Sequence, residues 1–207
     1  MLVWKRIAFM FFGAVSISAC TEPVGESTVG PGYDLTEPHV QFFHTLRQLC
    51  GNAYAGKRVV ARTDDRELLK GDEALVVHFR TCNDQQLLVP FHIEQPETNS
   101  WDRSRTWVYT LFDDHLSLSH DHRQESGEPA PGTGYGGLTV SSGSHKQQLF
   151  IFSERTGDKG EILGWRVEIV PGERYSYGTM SDGDWTWRVD FDLTKSIAIP
   201  PTPWGHN

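Results

Sequence analysis

The chain has 207 residues and carries 27 acidic against 19 basic side chains, a formal charge of −8 that gives nucleic acid and anionic lipid headgroups no electrostatic footing. Its three cysteines include no CxxC pair, so neither a dithiol redox motif nor a structural zinc motif is indicated.

The first segment reads as a targeting signal. Lys5 and Arg6 precede the apolar run "IAFMFFGAV", which is too short to span a bilayer permanently, and small residues follow it. Ile17, Ser18, Ala19 and Cys20 resemble the lipobox of bacterial lipoproteins, which implies removal of residues 1–19 and acylation of Cys20, palmitate included. Several acyl chains hold where one would be marginal. Residue 21 is Thr rather than the Asp that often marks inner-membrane retention, so the expected location is the cell envelope, at the periplasmic side of the outer membrane. The signal holds two of the basic residues and no acid, so the mature chain is more acidic still.

Residues 20–37 are rich in Gly, Pro, Ser and Thr and read as a flexible tether. Residues 38–207 suit a single domain with a real core. Cys50 and Cys82 remain as an even pair in an oxidising compartment, which predicts a disulfide between them.

The spacing of Phe42, Phe43, Leu46 and Leu49, after Pro38 and before Gly51, predicts a helix over 38–49 with one apolar face, suited to a plug or lid. Beyond it the pattern is period two. A weak strand near "KRVVART" is followed by "ALVVHFRTC", "QQLLVPFHI", "SRTWVYTLF", "LSLSHDHR", "KQQLFIFS", "GWRVEIV", "RYSYGTM" and "WTWRVDFDL", about nine strands joined mostly by short turns. Such a meander predicts an all-β fold, an antiparallel up-and-down barrel of about eight to ten strands with one N-terminal helix. A two-sheet sandwich is the rival, and the Gly-rich stretch 124–144 is the one connection long enough to cross a barrel mouth.

Alternation assigns faces. In "LSLSHDHR", His120 and His122 share the side of Leu116 and Leu118, while Asp121 and Arg123 share the other. Arg103, Arg105, Trp107 and Tyr109 fall together on one side, as do Trp185, Trp187, Val189, Phe191 and Leu193. With Trp165, Val167 and Ile169 these rings either fill the barrel or line a pocket.

The blocks "FFHTLRQLCGNAYAG", "DRSRTWVYTL", "LSLSHDHR", "YGG", "WRVDFDL" and "PPTPWG" are similar, in that order, to an uncharacterised family of secreted bacterial proteins, over nearly all of Phe42 to Gly205. Members of that family continue after "HDHR" with more His and acidic residues, whereas this chain has Gln124, Glu125 and Ser126, and the family supplies no activity. At the level of fold the pattern also resembles the lipocalin and nitrobindin type of barrel, which implies a cavity for an apolar ligand or haem.

Three functions follow from the polar residues. Arg103, Arg105, His120, His122 and Tyr135 are candidates to converge at the barrel mouth and orient the polar head of a small-molecule ligand. A metal site would need His120 and His122 joined by a third ligand such as His78, His92 or His145. Hydrolysis would need Ser104, His120 and Asp121 as a triad, for which no nucleophile-elbow pattern is present, and the balance of the sequence points away from an enzyme. A structural or interaction lipoprotein is the remaining reading. No cofactor is specified, and the expected partners are the membrane, through Cys20, and a small ligand.

Overall fold

The computed structural model describes residues 37–61, 69, 71 and 73–206. The expected signal, the expected acylation site Cys20 and nearly all of the expected tether lie outside the described residues.

The helix forms where the spacing places it. α1 spans Pro38–Arg47, with the proline in its first turn where no intrahelical N–H is required, and the chain leaves through Gly51 at φ +82°. Val40, Phe42, Phe43 and Leu46 are fully buried, so α1 closes one end of the barrel and packs on β5 and β8.

The strands are β1 (Ala53–Val60), β2 (Leu75–His78), β3 (Thr81–Cys82), β4 (Gln86–Gln95), β5 (Ser100–Leu111), β6 (Leu116–His122), β7 (Gly136–Thr139), β8 (Gln147–Ile151), β9 (Leu163–Val170), β10 (Arg174–Ser181) and β11 (Asp184–Asp192). The predicted strand "ALVVHFRTC" is broken into β2 and β3, and both halves pair with β4. From β4 onward each strand pairs antiparallel with the next, and β11 returns to β1 in the register Gly56↔Phe191. The result is a closed ten-strand antiparallel barrel with one short helix. β1 tolerates the Phe191 ring because residue 56 is glycine: a Cβ there would sit 2.4 Å from a ring carbon.

The Gly-rich stretch does more than connect. It contributes β7, in which Gly136 and Gly137 let the backbones of β6 and β8 approach so closely that a Cβ would fall 2.0 Å from Leu118 O and 2.6 Å from Ile151 O respectively. Its earlier part extends β6, with Gly134 N donating to His120 O and Ala130 N to His122 O.

Two bulges reverse the side-chain parity read from alternation. In β5 the register with β4 shifts between Phe91 and Ile93, so Asp102 opposes inward-facing Ile93 and Arg105 opposes inward-facing Phe91. Arg103 is thereby turned to the outer wall, not grouped with Arg105. In β11 a shift between Thr179 and Met180 turns Trp185 outward, away from Trp187, Val189 and Phe191. There the guanidinium groups of Arg166 and Arg188, whose residues both pair with Gly178, lie 5.0 and 5.2 Å from the Trp185 ring.

The interior is filled rather than hollow. Phe91 stacks on Trp107 at 5.1 Å, Trp107 stacks on Tyr177 at 3.7 Å, and Phe191 packs against Tyr175 at 5.6 Å. The Tyr109 and Tyr175 hydroxyls, both fully buried, bond each other at 2.6 Å, one donating and one accepting, which gives each a partner in the middle of an apolar core. Cys50 and Cys82 are joined as a disulfide that ties the exit of α1 to β3.

After β11 the chain straps the outer wall. Ile197 N donates to Ala53 O, Pro201 O accepts from His92 Nε2 at 2.8 Å, Thr202 O accepts from Arg103 at 2.9 Å, and Trp204 N donates to Arg103 O. This explains why His92 is buried although it faces outward from β4 beside Val76 of β2.

Candidate functional site at the barrel mouth

The end opposite α1 is the mouth, and a polar chain of inward-facing residues crosses it. Asp102 pairs with Arg105, Arg105 lies across from His122 in the β5–β6 register, and His122 Nε2 meets Tyr135 OH at 3.3 Å. The Tyr135 ring stacks on His120 at 4.6 Å and 9°, and His120 Nε2 bonds the Tyr177 hydroxyl. Period two placed both histidines inward, and the bulge added Asp102.

His120 is 3% exposed, and burial drives its pKa down to about 3 against the upward pull of its bond to the Tyr135 carbonyl. The imidazole is therefore neutral at physiological pH. Its Nδ1 faces Tyr135 O at 3.1 Å and must be the N–H that donates, which leaves Nε2 as a lone pair accepting from Tyr177. Both nitrogens are thus used. His122 is also lowered, first by burial and then by the Arg105 charge, with Asp102 and Asp121 pulling the other way. Burial would raise Asp102, but Arg105 and the bonds to Ser104 outweigh it and hold the carboxyl below its ordinary value.

Beside this chain opens a cleft of about 480 Å³ whose walls include Tyr135, Phe152, Leu163, Trp165 and Met180, with Arg155 at its edge. Trp165 meets Phe152 edge-on at 5.7 Å and Tyr135 at 5.8 Å, and the Arg155 guanidinium sits 5.8 Å from the Phe152 ring centre. Phe152, Leu163 and Trp165 point into the mouth because they continue the inward parity of Phe150 and Val167. Such a cleft can take a flat apolar body, with Arg155 and Glu154 as the charged groups at its rim.

Of the five ligand candidates, Tyr135 lines the cleft, His120 lies directly behind Tyr135 and Trp165, and His122 and Arg105 stand on the far side of Tyr135. Arg103 is elsewhere, on the outer wall under the strap. Among the described residues no group of His, Cys, Asp and Glu is placed to hold a metal ion. His78 and His92 share the outward face of β2 and β4, and His145 lies in the β7–β8 connection, so none joins the histidine pair. The imagined triad is also dispersed. Asp121 faces outward to Arg123 and His206, while the Ser104 hydroxyl accepts from Arg105. Alternation and parity did not single out Tyr177, Phe152 or Arg155 as site residues; Phe152 and Trp165 were reachable by extending the parity of their strands.

Fold and site together define a closed up-and-down barrel with a packed interior and a shallow aromatic cleft at its open mouth. No family model, no curated protein and no solved structure matches the chain. The likeness of its sequence blocks to secreted bacterial proteins therefore assigns neither a family nor an activity, and the functional reading rests on geometry.

Proposed function

We propose that this is a lipid-anchored cell-envelope protein, held at the outer membrane through Cys20, whose barrel mouth binds a small amphipathic ligand with a flat apolar body and an acidic group. The observation that carries the binding role is the cleft of about 480 Å³ walled by Tyr135, Phe152 and Trp165 with Arg155 at its edge, a size and lining suited to a small molecule. Because Phe91, Trp107, Tyr175 and Phe191 fill the interior, the ligand sits at the mouth and not inside the barrel. The anchor is supported by the basic and apolar start of the chain and the "ISAC" junction.

Titration with the aromatic sulfonate 8-anilinonaphthalene-1-sulfonate tests the binding role. Saturable one-to-one binding is expected, weakened roughly tenfold in Arg155→Glu, an exposed change that spares the core, and in Trp165→Ala. Binding that does not saturate, or that both variants leave intact, overturns it. For the anchor, labelled palmitate should enter the wild type and not Cys20→Ser.

A further inference from the structure

We propose that the rim formed by Phe112, Leu138 and Val140, at the plugged end of the barrel, docks on the uncharged surface of the bilayer and stands the barrel with its mouth toward the aqueous compartment. The inference rests on the anchor at Cys20.

Large apolar side chains left in water are few among the described residues, and three of them gather here: Phe112 is 43% exposed, Leu138 49% and Val140 78%. Register brings them together. Ser117 pairs with Leu138 and Leu116 N donates to Thr139 Oγ1, so continuing the ladder sets Val140 against His115. His115 O accepts from Phe112 N, and the two rings stack at 4.6 Å. From this corner a trough of about 330 Å³ runs up the outer wall, floored by Gly136 and Gly137 and flanked by Leu138, Val140 and Ile151. An exposed apolar edge of this kind calls for a covering surface.

The position of the anchor selects the bilayer as that surface. Cys20 and Glu37 are 17 residues apart, a span of at most roughly 60 Å when extended and about 20–25 Å as a flexible chain. Glu37 leads directly into α1, which packs on β5 and β8 at the plugged end. The first turn of α1 lies beside the β5–β6 turn: Asp114 is held below its ordinary pKa first by its bond to His115 and also by the nearby His39. An anchored chain is thus delivered to the membrane by the end that carries the apolar rim. Asp113 and Asp114 in the same turn disfavour anionic headgroups and point to zwitterionic lipid.

The test uses the full acylated protein in phosphatidylcholine vesicles, with single nitroxide labels on Val140→Cys or Phe112→Cys and, as a reference far from the rim, on Ile199→Cys. The rim labels are expected to collide with oxygen in preference to a water-soluble nickel chelate, and the reference label to do the reverse. Adding phosphatidylglycerol should shift the rim labels back toward water. Rim labels as wet as the reference overturn the proposal. So does a rim label that is immobilised without lipid, which would mean that the tether or, if concentration-dependent, a second copy covers it. Absence of palmitate on the protein would instead refute the anchor, and wet rim labels on fully acylated protein refute the docking alone.

Discussion

Protonation of His120 should couple stability to pH, and the size of the effect follows from its burial. Its folded pKa of about 3 lies far below the unfolded value of 6.5. The unfolded chain takes up this proton as pH falls through 6.5, and the folded chain does not until about 3. The neutral, bonded histidine therefore contributes fully above the unfolded pKa and progressively less as pH falls toward the folded one. At about 1.4 kcal/mol per unit, lowering the pH from 7.5 to 5.0 costs about 2 kcal/mol through His120 alone. His92, lowered to about 4 by burial against its bond to Pro201, adds a comparable loss, and in His120→Gln only the His120 share disappears. Urea unfolding followed by tryptophan fluorescence at both pH values is the assay. His120→Gln should be less stable than the wild type at pH 7.5, with that gap narrowing by about 2 kcal/mol at pH 5.0. A gap that stays constant would show that His120 titrates normally in the folded state and would refute the neutral imidazole bonded to Tyr177.

Two further predictions concern the staples of the barrel. Cys50→Ala/Cys82→Ala opens a loop with a sequence separation of 32 and should lower unfolding free energy by roughly 3 to 4 kcal/mol in urea melts, while leaving sulfonate-dye binding at the distant mouth unchanged below the transition. Asp121→Asn weakens the hold on both Arg123 and His206. It should cost about 1 kcal/mol and raise amide exchange at Trp204 several-fold without affecting β10, because a half-buried ion pair secures the strap locally; unchanged exchange at Trp204 would show that the strap is held elsewhere.

Period two and turn chemistry made much of this fold legible. The helix, the hairpins from β4 to β6 and from β9 to β11, and the cysteine pair could all be read from residues alone. The parts that were not legible share a cause, since each is a place where the backbone departs from the regular strand that alternation assumes. "DRSRTW" carries no residue that announces a bulge, yet the slip moves Asp102 inward and Arg103 outward. "WTW" reads as a single apolar face, and only the register shift opposite Thr179 and Met180 turns Trp185 outward onto Arg166 and Arg188. β7 was hidden because its glycines lower strand propensity; ring closure supplies the pairing that propensity does not. Where alternation holds, as in β6, "HDHR" divides its labour across the wall as its spacing predicts: His120 and His122 shape the mouth, while Asp121 and Arg123 fasten what lies outside it.

That division bears on how a ligand would reach the cleft. The strap crosses the outer wall from Ala53 to Asp121 and ends against the Gly-rich loop, where Gly205 lies so near that a Cβ on it would stand 2.6 Å from Gly127 O. Arg123 reinforces the contact from its pair with Asp121. The β4 to β6 side of the mouth is therefore bound from outside, and the loop that leads into Tyr135 is bonded to β6 at Gly134 and Ala130. The wall opposite, where β8 leads through Phe152 and Arg155 to β9, is tied to the β10–β11 turn, where Asp182 N donates to Ile162 O and Ile162 N to Asp182 Oδ1, and it presents the exposed Glu154 and Arg155 to solvent. On the proposed reading, a ligand approaching from the aqueous side would meet a charged rim on β8–β9 and an aromatic wall at Tyr135 and Trp165, with shape read by the aromatic wall and capture aided by the charge at Arg155. Changes at Arg155 should accordingly alter the association rate and its salt dependence, and changes at Tyr135 or Trp165 the dissociation rate.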